Sequence, residues 1–141
     1  MLGGASGGED KTIDPIPEGA IHIERESPIL GGDKKLREKL FLEYVGGDIR
    51  LMIDKGTETP VQVSHICSTT QDNQTTFSLR VRRGKSASEN LCLGTIQVQD
   101  IAPAPSGGPQ IKVTLAVTQD ANIHLYAIDT NPAHAIKLQR S

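Results

Sequence analysis

Apolar and polar residues alternate along most of the chain, in short runs that are separated by turn residues. A period of two places every second side chain on the same face, which is typical of β-strands with one buried face. In the clearest run, residues 111–117, the apolar positions are Ile111, Val113, Leu115 and Val117. No helical period extends beyond about one turn of roughly 3.6 residues. The pattern therefore predicts an all-β protein.

The alternating runs predict an antiparallel β-sandwich of about eight strands, because many short strands at even spacing form a sandwich or a barrel. The predicted strands are residues 40–45, 49–53, 61–69, 75–82, 93–98, 111–117, 123–127 and 136–138. In the second of these strands we expect Ile49, Leu51 and Ile53 to share the buried face. Residues 83–89 are predicted to be a polar loop. The Pro-rich residues 102–109 cannot lie in a central strand.

The N-terminal residues differ in composition from the rest of the chain. Residues 1–11 carry four glycines and few apolar side chains, so burial cannot offset the entropy lost on ordering them. The next residues alternate Pro and Gly with one strand-like piece, residues 20–24. We therefore expect a flexible or partly extended segment over residues 1–33 and a β-sandwich domain over residues 34–141.

Composition and charge restrict the function classes. Hydrophobic residues make up 36% of the chain, aromatic residues only 3%, and Trp is absent, so the core must consist of Val, Ile and Leu. The net charge is -2 with neither sign clustered, which gives no electrostatic attraction for nucleic acid or an anionic membrane. No apolar run approaches the roughly 20 residues of a membrane span. We expect a cytoplasmic protein.

Candidate catalytic and metal-binding residues are sparse. The four histidines, which lack the spacing of a zinc site, are His22, His65, His124 and His134. Cys67 and Cys92 lie in apolar, strand-like contexts and are expected to be reduced core residues. His65 shares a strand face with Cys67, but no third group orients the pair as a nucleophile and base. The sequence therefore favours a binding protein without metal, cofactor or catalysis.

Several linked motifs resemble one family. Residues 66–74 read ICSTTQDNQ, residues 90–94 read NLCLG, and residues 101–110 read IAPAPSGGPQ. Upstream, residues 40–53 read LFLEYVGGDIRLMI. In this order the motifs resemble the substrate-binding domain of the heat-shock protein 70 (DnaK-type) chaperones, as a divergent member, over residues 40–138.

The resemblance implies a fold and a set of partners. In that family two four-stranded sheets form a sandwich, and loops at one end clasp an extended apolar peptide. The implied partners are unfolded proteins, an ATPase domain and a J-domain co-chaperone. ATP would bind only in the separate ATPase domain, so this chain is expected to hold no cofactor. We expect it to be a fragment without that domain and without the helical lid.

The resemblance also implies site residues by position. The implied peptide-binding residues are Leu42, Tyr44, Val45, Cys67, Thr70, Phe77 and Leu79. Among them, Val45 and Thr70 would form an arch over the peptide, and Cys67, Phe77 and Leu79 would line a central pocket. Lys55 and Asp120 would face the ATPase domain. The alternative interpretation of the apolar positions is plain core packing.

Two substitutions depart from the family pattern at the implied pocket. Cys67 replaces the usual Phe, and Phe77 replaces a small β-branched residue. A ring at the pocket floor leads us to expect weaker peptide binding or a preference for smaller side chains. The alternative function is that of a scaffold or protein-interaction domain, which keeps the β-sandwich fold but has an occluded pocket that binds peptides weakly. Self-association is also expected if the N-terminal tail, with Ile21, Ile23 and Leu30, enters the groove of another copy.

Overall fold

The computed structural model describes residues 13–23 and 28–141. Within these ranges the chain forms nine β-strands and no α-helix, and nothing in them could cross a membrane as a helix. The strands are β1 (Ile21–Ile23), β2 (Lys39–Tyr44), β3 (Ile49–Ile53), β4 (Val61–Cys67), β5 (Phe77–Ser86), β6 (Glu89–Gln99), β7 (Ile111–Val117), β8 (Ile123–Asp129) and β9 (Lys137–Arg140). The predicted all-β fold is confirmed.

The strands pair into two antiparallel sheets. One sheet has the strand order β1-β8-β7-β4, and the other has the order β3-β2-β5-β6-β9. The inner faces of both sheets contribute to one apolar cluster, as in a β-sandwich. Strands β3 and β4 are edge strands, one in each sheet. The predicted antiparallel sandwich is therefore confirmed.

The core between the sheets is aliphatic, as the composition requires. Its largest fully buried side chains are Ile23, Ile29, Leu40, Leu79, Val81, Ile96, Val98, Ile101, Ile111, Leu115, Ile123 and Leu125. Full burial of one such side chain stabilises a fold by about 1.5–3 kcal/mol. β-Branched residues dominate this set, and they suit the pleated, half-buried surface of a strand.

The N-terminal segment contributes one strand to the sandwich. β1 pairs with β8, with Ile21 opposite Leu125 and Ile23 opposite Ile123. This strand was predicted from residues 20–24. Residues 1–12 and 24–27 lie outside the described residues, so the flexible or partly extended character of residues 1–33 stays a prediction, as does the domain boundary after residue 33.

The described N-terminal residues bear on the expected self-association. Ile23 is completely buried and Leu30 is 9% exposed, and both belong to the chain's own core. Ile21 is half-buried and packs against the same cluster. These side chains are therefore not available to another copy of a folded chain. Self-association through the N-terminal tail stays a prediction, and in this fold it would have to involve other residues of the tail or the release of β1.

The polar residues 83–89 form part of a long hairpin rather than a loop. β5 continues to Ser86 and β6 begins at Glu89. The charge of Arg83 is compatible with burial because its Nε lies 2.7 Å from Glu38 Oε1, and its Nη2 donates to the carbonyl of Pro28. At Gly84 an added Cβ would lie 2.4 Å from the carbonyl oxygen of Glu89. The prediction of a loop was wrong because polarity alone does not reveal a paired charge.

Candidate functional site

A groove opens at the side of the sandwich where β3 and β4 are the edge strands. Each of these strands has a strand neighbour on one side only, β2 for β3 and β7 for β4. The groove has a volume of about 260 Å³. Its lining residues are Leu42, Tyr44, Gly47, Asp48, Arg50, His65, Ile66, Cys67, Ser68, Thr70 and Leu79. Both sheets and the loops at one end therefore contribute to it.

Five of the seven peptide-binding residues implied by the resemblance line this groove. They are Leu42, Tyr44, Cys67, Thr70 and Leu79. Leu79 is completely buried and Leu42 is 3% exposed, so they form an apolar floor. Thr70 is exposed at the rim. The assignment of these residues to peptide binding stays a prediction, but the structure does bring them together.

Phe77, one of the two other implied residues, lies outside the groove lining. Its ring stacks on the ring of Tyr44, with a centroid distance of 4.9 Å and an interplanar angle of 28°. Phe77 is 5% exposed and belongs to the core. Tyr44 is thus interposed between Phe77 and the groove. The ring of Phe77 supports a groove wall and does not fill the groove.

Val45 is the other implied residue outside the lining. Its backbone N–H donates to the carbonyl of Ser78, at 3.0 Å. The rim opposite is organised by the side chain of Gln74, whose Oε1 accepts from the backbone N–H of Thr70, at 2.9 Å. Gln74 Nε2 reaches across to the hydroxyl of Tyr44, at 3.4 Å. The contact between the two sides of the rim is therefore made by Gln74 and Tyr44.

The loop that carries Thr70 is fixed on the Pro-rich loop. The backbone N–H of Asn73 donates to the carbonyl of Ala104, at 2.8 Å, and that of Gly107 donates to the carbonyl of Thr69, at 3.0 Å. Asn73 has a φ of 58°, a left-handed conformation that Asn tolerates better than most residues. Two of the sequence motifs thus meet in space, and the Pro-rich one supports the loop whose Thr70 lines one end of the groove.

Burial and the charge of Arg50 shift the pKa values of two groove residues. Burial raises the pKa of the Cys67 thiol, and the charge of Arg50 opposes this effect. Burial also lowers the pKa of His65, and the charge of Arg50 lowers it further. Cys67 is therefore a protonated thiol and His65 a neutral imidazole at neutral pH. Burial, the larger cause of both shifts, disfavours the thiolate and the imidazolium that a cysteine nucleophile and its base would form.

The two cysteines differ from the expectation that both lie in the core. Cys67 is buried, whereas Cys92 is exposed on β6. Neither forms a disulfide in the described residues. Among those same residues, no three His, Cys, Asp or Glu side chains lie close enough together to hold a metal ion.

Arg50 and His65 line the groove but are not among the residues that the resemblance implied, although His65 shares a strand face with Cys67. Arg50 is directly opposite Leu42 in the β2–β3 ladder, and opposed residues share a face of the sheet. Leu51, expected to be buried, is 44% exposed. The expectation for β3 was wrong at Leu51 but not at Ile53, which is 2% exposed, because the β2–β3 ladder contains an irregularity between Leu40 and Phe41 that changes which residues face the groove. The register against Leu42, set by the turn at residues 45–48, would have been the signal.

Lys55 and Asp120 lie at the other end of the sandwich. Lys55 follows the end of β3, and Asp120 lies in the β7–β8 turn. Both are exposed. The β7–β8 turn contacts the loop before β4 through Gln119 Nε2, which donates to the carbonyl of Thr59, at 3.2 Å. Their role toward an ATPase domain stays a prediction, but they share one end of the molecule.

The sequence matches the model of one protein family. That model is described as Hsp70 protein, and it matches residues 38–140. The matched range contains β2 to β9, and with them both walls of the groove and the two loops at its end. It covers more than half of the chain.

Proposed function

The chain belongs to the Hsp70 family, and we propose that it is a substrate-binding domain that holds extended apolar peptide segments in the groove between β3 and β4. In this proposal it is the peptide-holding part of a DnaK-like chaperone. It carries out no catalysis itself. ATP hydrolysis and any J-domain co-chaperone would act through the ATPase domain of the longer protein.

The observation that carries this proposal is the apolar floor beneath an open groove. Leu42 and Leu79 are buried by their own sandwich, yet both line the groove. An apolar peptide side chain placed against them would leave water, which contributes about 1.5–3 kcal/mol for a Leu-sized group. The groove volume of about 260 Å³ is below the roughly 300–1,000 Å³ of small-molecule clefts. It suits one or two side chains of a peptide.

The edges of the sheets supply the second part of the binding mode. β3 and β4 each carry ladder hydrogen bonds on one side only. Main-chain groups on the free side of an edge strand can pair with an extended peptide. Such hydrogen bonds do not depend on the peptide sequence, whereas the floor selects an apolar side chain. The combination fits a protein that binds many unfolded chains.

The alternative function, an interaction sandwich with an occluded pocket, depends on Phe77 filling the groove. Phe77 instead stacks behind Tyr44. Cys67 leaves more room at the floor than a Phe would, and it lines the groove. Both features favour the peptide-binding proposal.

A titration by fluorescence anisotropy tests the proposal. The probe is a labelled, uncharged peptide with a central Leu, and its control has Ser in place of Leu. We expect saturable binding of the Leu peptide. The Ser peptide should bind with an affinity at least about tenfold lower, because the apolar contact is lost. If the Leu peptide fails to bind, or if the Ser peptide binds equally well, the proposal is wrong.

A further inference from the structure

Arg50 brings a positive charge into a groove that is otherwise apolar at its floor. It lies on edge strand β3, opposite Leu42 and on the same face. It lines the groove together with His65 and Cys67 of β4. Its guanidinium group therefore borders the position where a peptide side chain would meet the floor.

No side chain in the described residues is paired directly with this charge. The guanidinium group of Arg50 has neither an ion pair nor a hydrogen bond within residues 13–23 and 28–141. Asp48 also lines the groove, two residues earlier on the chain. The carboxylate of Asp48 forms no ion pair with Arg50 or with any other described residue.

Arg50 lies near two other groove residues. After burial, its charge is the second cause of the pKa shifts of both His65 and Cys67. His65 is neutral at neutral pH, for the reason given above, and so it adds no second charge. A peptide lying in the groove would meet the positive charge of Arg50 beside the apolar floor, with the carboxylate of Asp48 nearer the turn after β2.

A bound peptide changes the surroundings of Arg50. The arginine is exposed in the free protein, so water solvates its charge. A peptide over the groove removes part of that water, which costs free energy unless the peptide supplies a partner. A carboxylate is the partner that satisfies a guanidinium group best, since two N–H donors match its two oxygens.

We propose that this groove selects extended peptides in which an Asp or Glu lies within two residues of the apolar side chain on the floor, with the carboxylate paired to Arg50. This inference rests on the proposed function and names the substrate class of the same site. An extended peptide advances about 3.3 Å per residue, so a position one or two residues from the floor is within reach of an arginine side chain.

The test compares labelled peptides that share one Leu-containing core and differ at a single neighbouring position, Asp, Asn or Lys. The position is varied from two residues before the Leu to two residues after it. For at least one position we expect the Asp peptide to bind about threefold to tenfold more tightly than the Asn peptide, and the Lys peptide to bind most weakly. The preference should shrink at high salt because the charges are screened.

Two variants assign the preference to one residue. Arg50→Gln should bind the Asp and Asn peptides equally, because the partner of the carboxylate is gone. Arg80→Gln is the matched control, since Arg80 lies outside the groove lining and next to Glu43, and it should keep the preference for Asp. Equal binding of Asp and Asn peptides by the unmodified protein, or a preference that survives Arg50→Gln, would overturn this inference and leave the proposed function intact. If none of the peptides binds, both are wrong.

Discussion

The rings of Tyr44 and Phe77 stack with their centroids 4.9 Å apart, and only Tyr44 lines the groove. Phe77 is therefore a support for one wall. From the sequence we expected the large ring of Phe77 to narrow the pocket. In the structure the ring instead lies behind Tyr44. Shortening the side chain should remove a support rather than open the site.

We predict that Phe77→Val weakens peptide binding and lowers the free energy of unfolding by about 1–3 kcal/mol, because it leaves a cavity and removes the aromatic contact. Urea unfolding and peptide anisotropy measure the two effects. Phe41→Val is the matched control, since Phe41 is 4% exposed but lies outside the groove lining. Phe41→Val should destabilise the fold, but the folded fraction of this variant should bind the peptide with unchanged affinity. Tighter binding by Phe77→Val would show that Phe77 does occlude the groove.

The sequence predicted the strands well where the alternation was regular. β7 has the bounds expected from its four alternating apolar residues, because a regular period of two indicates a β-strand. Prediction from the sequence failed where a charged side chain is buried or where the register between two strands is irregular. Arg83 continues a strand because Glu38 pairs with it. The β2–β3 ladder contains an irregularity between Leu40 and Phe41, so Arg50 rather than Leu51 faces the groove.

The site residues could be found only in part for the same physical reason. Leu42, Leu79 and Cys67 follow the alternation of their strands, and they lie in the groove. Phe77 has the same inward direction as Leu79, but it is covered by Tyr44, a contact between two strands that no pattern within one strand reveals.

We predict that Gln74→Leu accelerates peptide release. Gln74 joins the Thr70 loop to Tyr44 across the rim, and one net hydrogen bond contributes about 0.5–1.5 kcal/mol. Stopped-flow displacement should show release about threefold to tenfold faster than for the unmodified protein. Gln139→Leu, on β9 and outside the groove lining, should leave the rate unchanged. Equal release rates for Gln74→Leu and the unmodified protein would contradict a role of this residue in closing the rim.

We predict that Glu38→Gln lowers the free energy of unfolding by about 1–2 kcal/mol, because Glu38 is paired with the nearly buried Arg83 at 2.7 Å but is itself 35% exposed, which screens the pair. The matched control is Glu89→Gln. Its partner Lys85 is 3.6 Å away and both side chains are mostly exposed, so the change should be close to zero. Denaturant unfolding at neutral pH decides between them, and equal losses for the two variants would refute the argument from burial.

We predict that stability falls as the pH is lowered below about 6.5, because burial lowers the pKa values of His65 and His124 from the ordinary value of 6.5. The charges of Arg50 and His22 lower them further. The unfolded chain then binds protons more readily than the folded chain. The stability is fully present above the unfolded pKa and is lost as pH falls through the lowered folded pKa.

Unfolding free energies at a series of pH values from 8 to 5 measure this effect, for the unmodified protein and for the double variant His65→Gln/His124→Gln. The double variant should lose less stability over this pH range. An identical slope for both proteins would show that these two histidines do not carry the acid sensitivity.

The central claim, that peptides occupy the groove between β3 and β4, is tested most directly by a pair of adjacent substitutions on one strand. Arg50→Trp places an indole in the groove, whereas Leu51→Trp places it on the opposite, exposed face of the same strand. The measurement is the affinity of the uncharged Leu peptide for each variant by fluorescence anisotropy. We predict that Arg50→Trp weakens binding by about tenfold or more and that Leu51→Trp leaves it unchanged. Equal affinities for the two variants would contradict the claim.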